Sequence, residues 1–548
     1  MNADNRSAPL RRDYDFVRSK LLNREEIALL DVREEAPHAG GHPLFAANLP
    51  LARIELDAYT KLPRRSVPIV TLDAGEGLAE RAAGRLLAMG YSDVAVFEGG
   101  LEAWKAAGGE VFVDVNVPSK AFGELVESVC HTPSVAAEEV KAMIDAGEDM
   151  VIVDARRFDE YQAMSIPTGI SVPGAELVLR VPDLAPSPTT RVIVNCAGRT
   201  RSLIGSQSLI NAGLPNPVAA LRNGTMGWTL AAQPLDAGQS RSFGETPGVS
   251  VEIARRRARA VADRAGVGRA ARDALGEWMK QEDRTTYFFD VRSLEEYEAG
   301  HLPGFFPMPG GQLVQETEMY APVRGARVVL ADDDGARANM TASWLAQMAW
   351  DVYVVDGLAP GDFSETGAFR PTLPALPANR EIDAATLQDW LASGDVVVVD
   401  VAKHAIYHRG HVPGAWYALR SGLGVAAALK LPVAARYVVT SDDGLLAQFT
   451  APELRDLVEG DVYVLTGGTR AWSRGGYPLE AGEGRLASEP IDRYRRPYEG
   501  TVAPLEAMQA YLDWELRLVE QLGRDGTHHF RPLSWRGPPA SDPNSHAP

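Results

Sequence analysis

Apolar positions in this chain come in short continuous blocks. Runs of four to six residues rich in Val, Ile, Leu and Phe are separated by polar loops and by stretches with helical spacing, such as SLIGSQSLINAG. An uninterrupted apolar run of strand length predicts a strand buried on both faces, hence a parallel sheet covered by helices. The blocks also repeat. IALLDVR, MVIVDAR, TYFFDVR and VVVVDVA carry their aspartates at Asp31, Asp154, Asp290 and Asp400. A second run follows each: VPIVTLDAGEG, RVIVNCAGRTR, RVVLADDDGAR and RYVVTSDDG. If its loop residue is taken as Asp73, Cys196, Asp332 and Asp442, every copy stands 42 residues after its aspartate. A third run precedes Trp104, Trp228, Gly357 and Trp472. Short apolar runs alike by chance would not hold that register, so four copies of one α/β module are predicted. The expected boundaries are 12–118, 127–237, 250–372 and 378–482, with a C-terminal helix and a tail over 483–548. Linkers are expected at 113–120, 238–248 and 370–380. The tail reads as one amphipathic helix, LEAMQAYLDWELRLVEQL, docked on its own chain, followed by a disordered Pro/Ser-rich end, PPASDPNSHAP.

Length agrees with the repeat. At roughly 150 residues per domain, 548 residues predict three or four domains. With 45% hydrophobic and 23% charged residues, the chain is composed like a globular protein. The net charge of −18 argues against nucleic acid or an anionic membrane as partner, and makes the basic stretch RRRARAV (255–261) a solvated helix face. The first residues, MNADNRSAPLRRDYDF, hold no apolar leader core, and no run of about 18 apolar residues occurs. Two cysteines rule out a disulfide framework and point to a reducing compartment, so a cytoplasmic protein is expected.

With only two cysteines, each merits inspection. Cys130, in ESVCHTPS, reads as a buried small hydrophobe. Cys196 stands between a strand and a helix, in VIVN-CAGRTR-SLIGSQSL. Unpaired N–H groups at a helix start make an anion site, and their field, with Arg199 and Arg201 beside it, is expected to lower the thiol pKa. Gly198 lets the backbone curl so that several N–H groups converge on one point.

The Asp-x-Arg run, the GHLPG and GHVPG segments from Gly300 and Gly410, and the Cys-x-Gly-x-x-Arg loop together resemble the rhodanese sulfurtransferases. The resemblance spans nearly the whole chain and implies four tandem rhodanese-like domains, each a small parallel sheet flanked by helices. It implies that Cys196 is the nucleophile and persulfide carrier, taking sulfane sulfur from a small anionic donor such as thiosulfate and passing it to a thiol acceptor. Ala197, Gly198, Arg199, Thr200, Arg201 and Ser202 would form the cradle, with Arg201 closing the loop. Arg156 and Glu160 are possible pocket residues. No metal or organic cofactor is implied. In the second repeat the Gly-His-x-Pro-Gly segment is degraded to SIPTGISVPGAEL, a departure from the family pattern.

Two other readings use the same residues. A phosphatase or arsenate reductase on this fold has a loop one residue longer, whereas Cys196 to Arg201 spans six residues, the sulfur-handling length. A sulfur-relay scaffold, in which Cys196 exchanges persulfide with a protein partner, would give the cysteine-less repeats a use. Those repeats carry Asp73, Asp332 and Asp442 in register with Cys196 and are expected to be silent, because a carboxylate occupies the anion site with its own charge. Asp31, Asp154, Asp290, Asp400, His301 and His411 are expected to be structural.

Overall fold

The computed structural model describes residues 9–424, 430–500 and 502–534; the expected Pro/Ser-rich end lies outside the described residues. Four parallel sheets follow one another along the chain. In the first, Leu10–Arg12, Val94–Phe97, Ile69–Leu72 and Ile27–Asp31 lie side by side, and Ala47–Asn48 pairs with Ile27–Asp31. The second runs Ser134–Val135, Val218–Leu221, Arg191–Asn195, Met150–Asp154, Ile170–Ser171. The third repeats that order with Gly268–Ala271, Asp351–Asp356, Arg327–Ala331, Thr286–Asp290 and Phe306–Pro307. The fourth has Arg380–Ile382, Asp461–Leu465, Arg436–Thr440, Val397–Asp400, Trp416–Tyr417 and, at its edge, Arg485–Leu486. The apolar runs are the central strands, buried on both faces as their unbroken hydrophobicity requires. Trp104, Trp228 and Trp472 are core residues, each donating its Nε1–H to a carbonyl six residues on, at 2.8–2.9 Å.

The chain falls into two compact units. One holds Ile27–Val115 and Arg370–Arg495, the first and fourth repeats; the other holds Asn116–Phe369, the second and third, with the described residues from Arg496 onward. Within the first unit Arg420, fully buried, bridges the repeats by a bidentate pair with Glu55 at 2.7 and 2.8 Å. Within the second, Trp344 Nε1–H donates to Ser208 Oγ at 2.8 Å, and Arg337 reaches Glu176 at 2.9 Å.

Three expectations are corrected. The second half of the linker expected over 113–120 is the start of a helix, Val117–Cys130, buried along most of its first half and with Pro118 in its first turn. The expected single tail helix is two, Leu505–Glu515 and Leu518–Asp525. In the fourth repeat the strand partner of Asp400 is Thr440, whereas Asp154 pairs with Asn195. Ser441, one residue after Thr440, therefore occupies the position of Cys196. The carbonyls agree: Cys196 accepts from the Thr225 N–H and Ser441 from the Thr469 N–H, both at 2.9 Å. The fourth copy is one residue shorter between its two strands, so the constant spacing of 42 selected Asp442 one place too late.

Among the described residues no helix is long and apolar enough to cross a membrane.

Candidate active site

In a parallel sheet, side chains at the carboxyl ends of the strands converge on one rim, where ligands bind. On the second repeat's rim, Arg191–Asn195 delivers Cys196 and the helix Thr200–Asn211 begins four residues later. The loop has little freedom. Carbonyls of Cys196 and Ala197 accept from the N–H groups of Thr225 and Met226 at 2.9 and 3.0 Å. Gly224 has φ +56°, and a Cβ there would stand 2.3 Å from the Cys196 carbonyl oxygen, so only glycine fits.

Cys196 is 1% exposed. Its thiol donates to Ser202 Oγ at 3.4 Å, and the Ser202 hydroxyl donates to the Arg199 carbonyl at 2.9 Å. Backbone N–H groups of Ser202 and Gly198 also face the sulfur. Burial pushes the thiol up from its ordinary value, against the opposing pull of the Arg201 charge and these donors. That reverses the sequence expectation, and the partners of the two arginines supply the reason. Arg201 makes a bidentate pair with Glu160 at 2.7 and 2.9 Å. Although burial alone would raise the Glu160 carboxyl, Arg201 and two further arginines hold it down at about 2. Arg199 pairs with Glu124 at 2.7 and 2.9 Å, with Glu127, and with Asn223 Oδ1 at 3.1 Å. Each guanidinium is neutralised locally, so little positive charge is left to oppose the cost of burying a thiolate.

Arg156 is not free to meet a ligand. It is 1% exposed, pairs bidentately with Asp154 at 2.9 and 2.8 Å, and donates to the Met164 carbonyl at 2.5 Å. The same pairs recur as Arg33–Asp31 and Arg292–Asp290 in repeats without a cysteine, which marks them as scaffold. In the fourth repeat Ala402 replaces the arginine, and burial leaves Asp400 pushed up to about 7. His301 and His411 bond the carbonyls of Tyr297 and Tyr407 at 2.8 Å through Nδ1. Their backbones bridge to Glu365 and Glu480, and Ser165 takes the equivalent bridge in the second repeat, to Asp236. The degraded segment thus keeps its backbone role without the imidazole. Cys130 donates to the Leu533 carbonyl at 3.3 Å and is half-buried, where the sequence reading expected it buried.

Sequence reasoning missed the groups that enclose the loop from a distance. Glu124 comes from the helix Val117–Cys130, whose first four residues fall in the expected linker. The C-terminal helix Leu505–Glu515 packs Tyr511, Met508 and Leu512 against Ala197 and Met226, with Tyr498. Glu515, 1% exposed, accepts from Tyr511 at 3.0 Å and from Thr200 Oγ1 at 3.5 Å. Lys120 lies 5.0–5.6 Å from the ring centroids of Tyr498, Tyr511 and Trp514. The only sequence signal for these contacts was the amphipathic tail, which does not name its partner.

The other rims are filled differently. Asp73 accepts the N–H groups of Gly75 and Ala79, both at 3.0 Å, and Asp332 those of Gly335 and Ala338 at 3.0 and 2.8 Å. In the fourth repeat Ser441 Oγ accepts from the Ala447 N–H at 3.4 Å. Among these four loops, the second alone presents a sulfur.

A family model described as the rhodanese-like domain matches residues 18–107, 136–231, 272–357 and 383–474, most of the chain. The chain belongs to the rhodanese-like family. Its four sheets are four rhodanese-like repeats. The crystal structure of a thiosulfate sulfurtransferase from Pseudomonas aeruginosa is similar at 61% identity, covering 96% of this chain and 100% of that one, with a TM-score of 0.94. The Alr3790 protein from Anabaena sp. is 28% identical over 19% of this chain and 93% of its own, with a TM-score of 0.18. The HTH-type transcriptional regulator Rv0324 of Mycobacterium tuberculosis is 32% identical over 101 residues, 18% of this chain. The chain spans 43% of that curated relative's length.

Proposed function

We propose that this rhodanese-like chain is a sulfurtransferase in which Cys196 carries sulfur from thiosulfate to a thiol. The Cys196 thiolate attacks the outer sulfur of thiosulfate. A new S–S bond forms, the donor's S–S bond breaks, and sulfite leaves with its electron pair. The N–H groups of Gly198 and Ser202 and the start of the helix Thr200–Asn211 face the charge that then rests on the persulfide. An acceptor thiolate attacks the outer persulfide sulfur, and Cys196 returns as thiolate, a double displacement. Ala197 and Gly198 shape the cradle, Arg201 with Glu160 closes it, and Arg199 and Thr200 tie it to the helices Val117–Cys130 and Leu505–Glu515. The observation that carries this reading is the buried sulfur of Cys196 among donors that two other repeats spend on their own aspartates. The domain boundaries read from the sequence serve as working limits for dissecting the repeats. The low cysteine count supports a reducing, cytoplasmic setting for the reaction.

Sulfite release provides the test. Wild-type protein given thiosulfate and a thiol is expected to release sulfite with turnover, and Cys196→Ser to release none. Equal release by both would remove Cys196 from the chemistry.

A further inference from the structure

The buried acid facing the cradle from the C-terminal helix has no part in the chemistry above. We propose that Glu515 is a positioning residue for the Cys196 loop, acting as a neutral acid whose ionisation switches the loop to a poorer sulfur acceptor; this rests on the Cys196 reading.

The geometry is specific. Oε1 accepts from the Tyr511 and Thr200 hydroxyls, while Oε2 is buried with no hydrogen-bond partner. A carboxylate spreads its charge over both oxygens and needs donors at both, whereas an acid needs fewer. Oε2 lies against the loop: a Cβ added at Gly198 would stand 3.5 Å from it and 2.9 Å from Met226 Cε. Gly198 is also one of the residues whose N–H faces the sulfur. Movement of the carboxyl therefore reaches Cys196 through a single residue.

The charged and titratable groups facing Glu515 come from three elements. Val117–Cys130 contributes Lys120 and Glu124, the loop contributes Arg199, and the tail helix contributes Tyr511. Burial and then Glu124 push the carboxyl up to about 8, while Lys120, Tyr511 and Arg199 pull the other way. Below that pH the acid is neutral. Above it, a second carboxylate charge joins Glu124 beside a loop that must receive a dianion and hold a thiolate.

The pH profile of persulfide formation from thiosulfate separates this role from a merely structural one. Below the Cys196 pKa, the thiolate fraction and hence the rate rise about tenfold per pH unit. In the wild type that rise is expected to flatten or reverse above about pH 8. In Glu515→Gln, which keeps the neutral shape, it is expected to continue. Tyr511→Phe removes a donor to Oε1 and is expected to move the break to higher pH; it carries the test if melting shows that Glu515→Gln does not fold. Profiles of both variants superimposing on that of the wild type would overturn the role of Glu515. A wild type that forms no persulfide at any pH would overturn the Cys196 reading itself.

Discussion

The second and third repeats build the same strand–loop–helix corner and fill it with different groups. In the third, Asp332 takes the N–H groups of Gly335 and Ala338, and Asp334 takes those of Ala336 and Arg337 at 2.5 and 3.1 Å. Arg337 is surrounded by Asp333, Asp334, Glu176 and Glu296. Burial and the neighbouring Asp334 push Asp332 well above the usual carboxylate range. The donors of this cradle are therefore spent on a side chain that is covalently part of the chain. In the second repeat the sulfur is the smaller occupant, and Arg201 has one carboxylate partner, Glu160, within ion-pair distance. The two loops, CAGRTR and DDDGAR, share only the closing arginine, and the third adds two acidic neighbours to its aspartate. An anion cradle is open to a substrate only when its own residues leave the donors unspent.

The largest effect expected of any change is on Cys196 itself: Cys196→Ser should abolish sulfur uptake, measured as sulfite release. The reverse exchange, Asp332→Cys, should fail to create a second site, because Asp333 and Asp334 still crowd that loop with negative charge. Persulfide forming at position 332 of that variant, at a rate near that of Cys196, would show that the acidic neighbours are irrelevant. Next is Gly224→Ala, whose methyl would meet the Cys196 carbonyl at 2.3 Å in left-handed backbone. It should cost about 3 kcal/mol or more and lower the melting temperature. Ser202→Ala, which gives the second loop the residue found at Ala338, removes a hydrogen bond that pulls the Cys196 thiol pKa down and should slow persulfide formation about tenfold. The smallest effect concerns acid. Glu160 is held at about 2 by Arg201, below its ordinary value. Its contribution to stability is thus full above about 4.5 and is lost as pH falls toward 2. Glu160→Gln should flatten that part of the acid-unfolding curve.

The strands and the Cys196 loop were legible because both are local. A doubly buried strand writes an unbroken apolar run, and a nucleophile at a strand end stands next to its own helix start. Register was legible only while every copy kept its length: one residue fewer between the fourth repeat's strands moved the equivalent position from Asp442 to Ser441. Where a side chain points was not legible. Arg156 and Arg199 were both candidates for the pocket, yet one is spent on Asp154 two residues away and the other on Glu124, 75 residues earlier. Glu515 reaches Thr200 across 315 residues, and no periodicity of the tail specifies that contact. The pairing of the first repeat with the fourth and the second with the third within the two units is likewise a tertiary choice, made by residues such as Arg420 and Trp344.

One site per chain is the central claim, and counting transferred sulfur tests it most directly. The full chain is treated with thiosulfate, its intact mass is read, and the labelled peptide is mapped. One added sulfur atom, on the peptide containing Cys196 and absent from Cys196→Ser, is the expected result. Sulfur retained by Cys196→Ser, or found on Cys130, would contradict it.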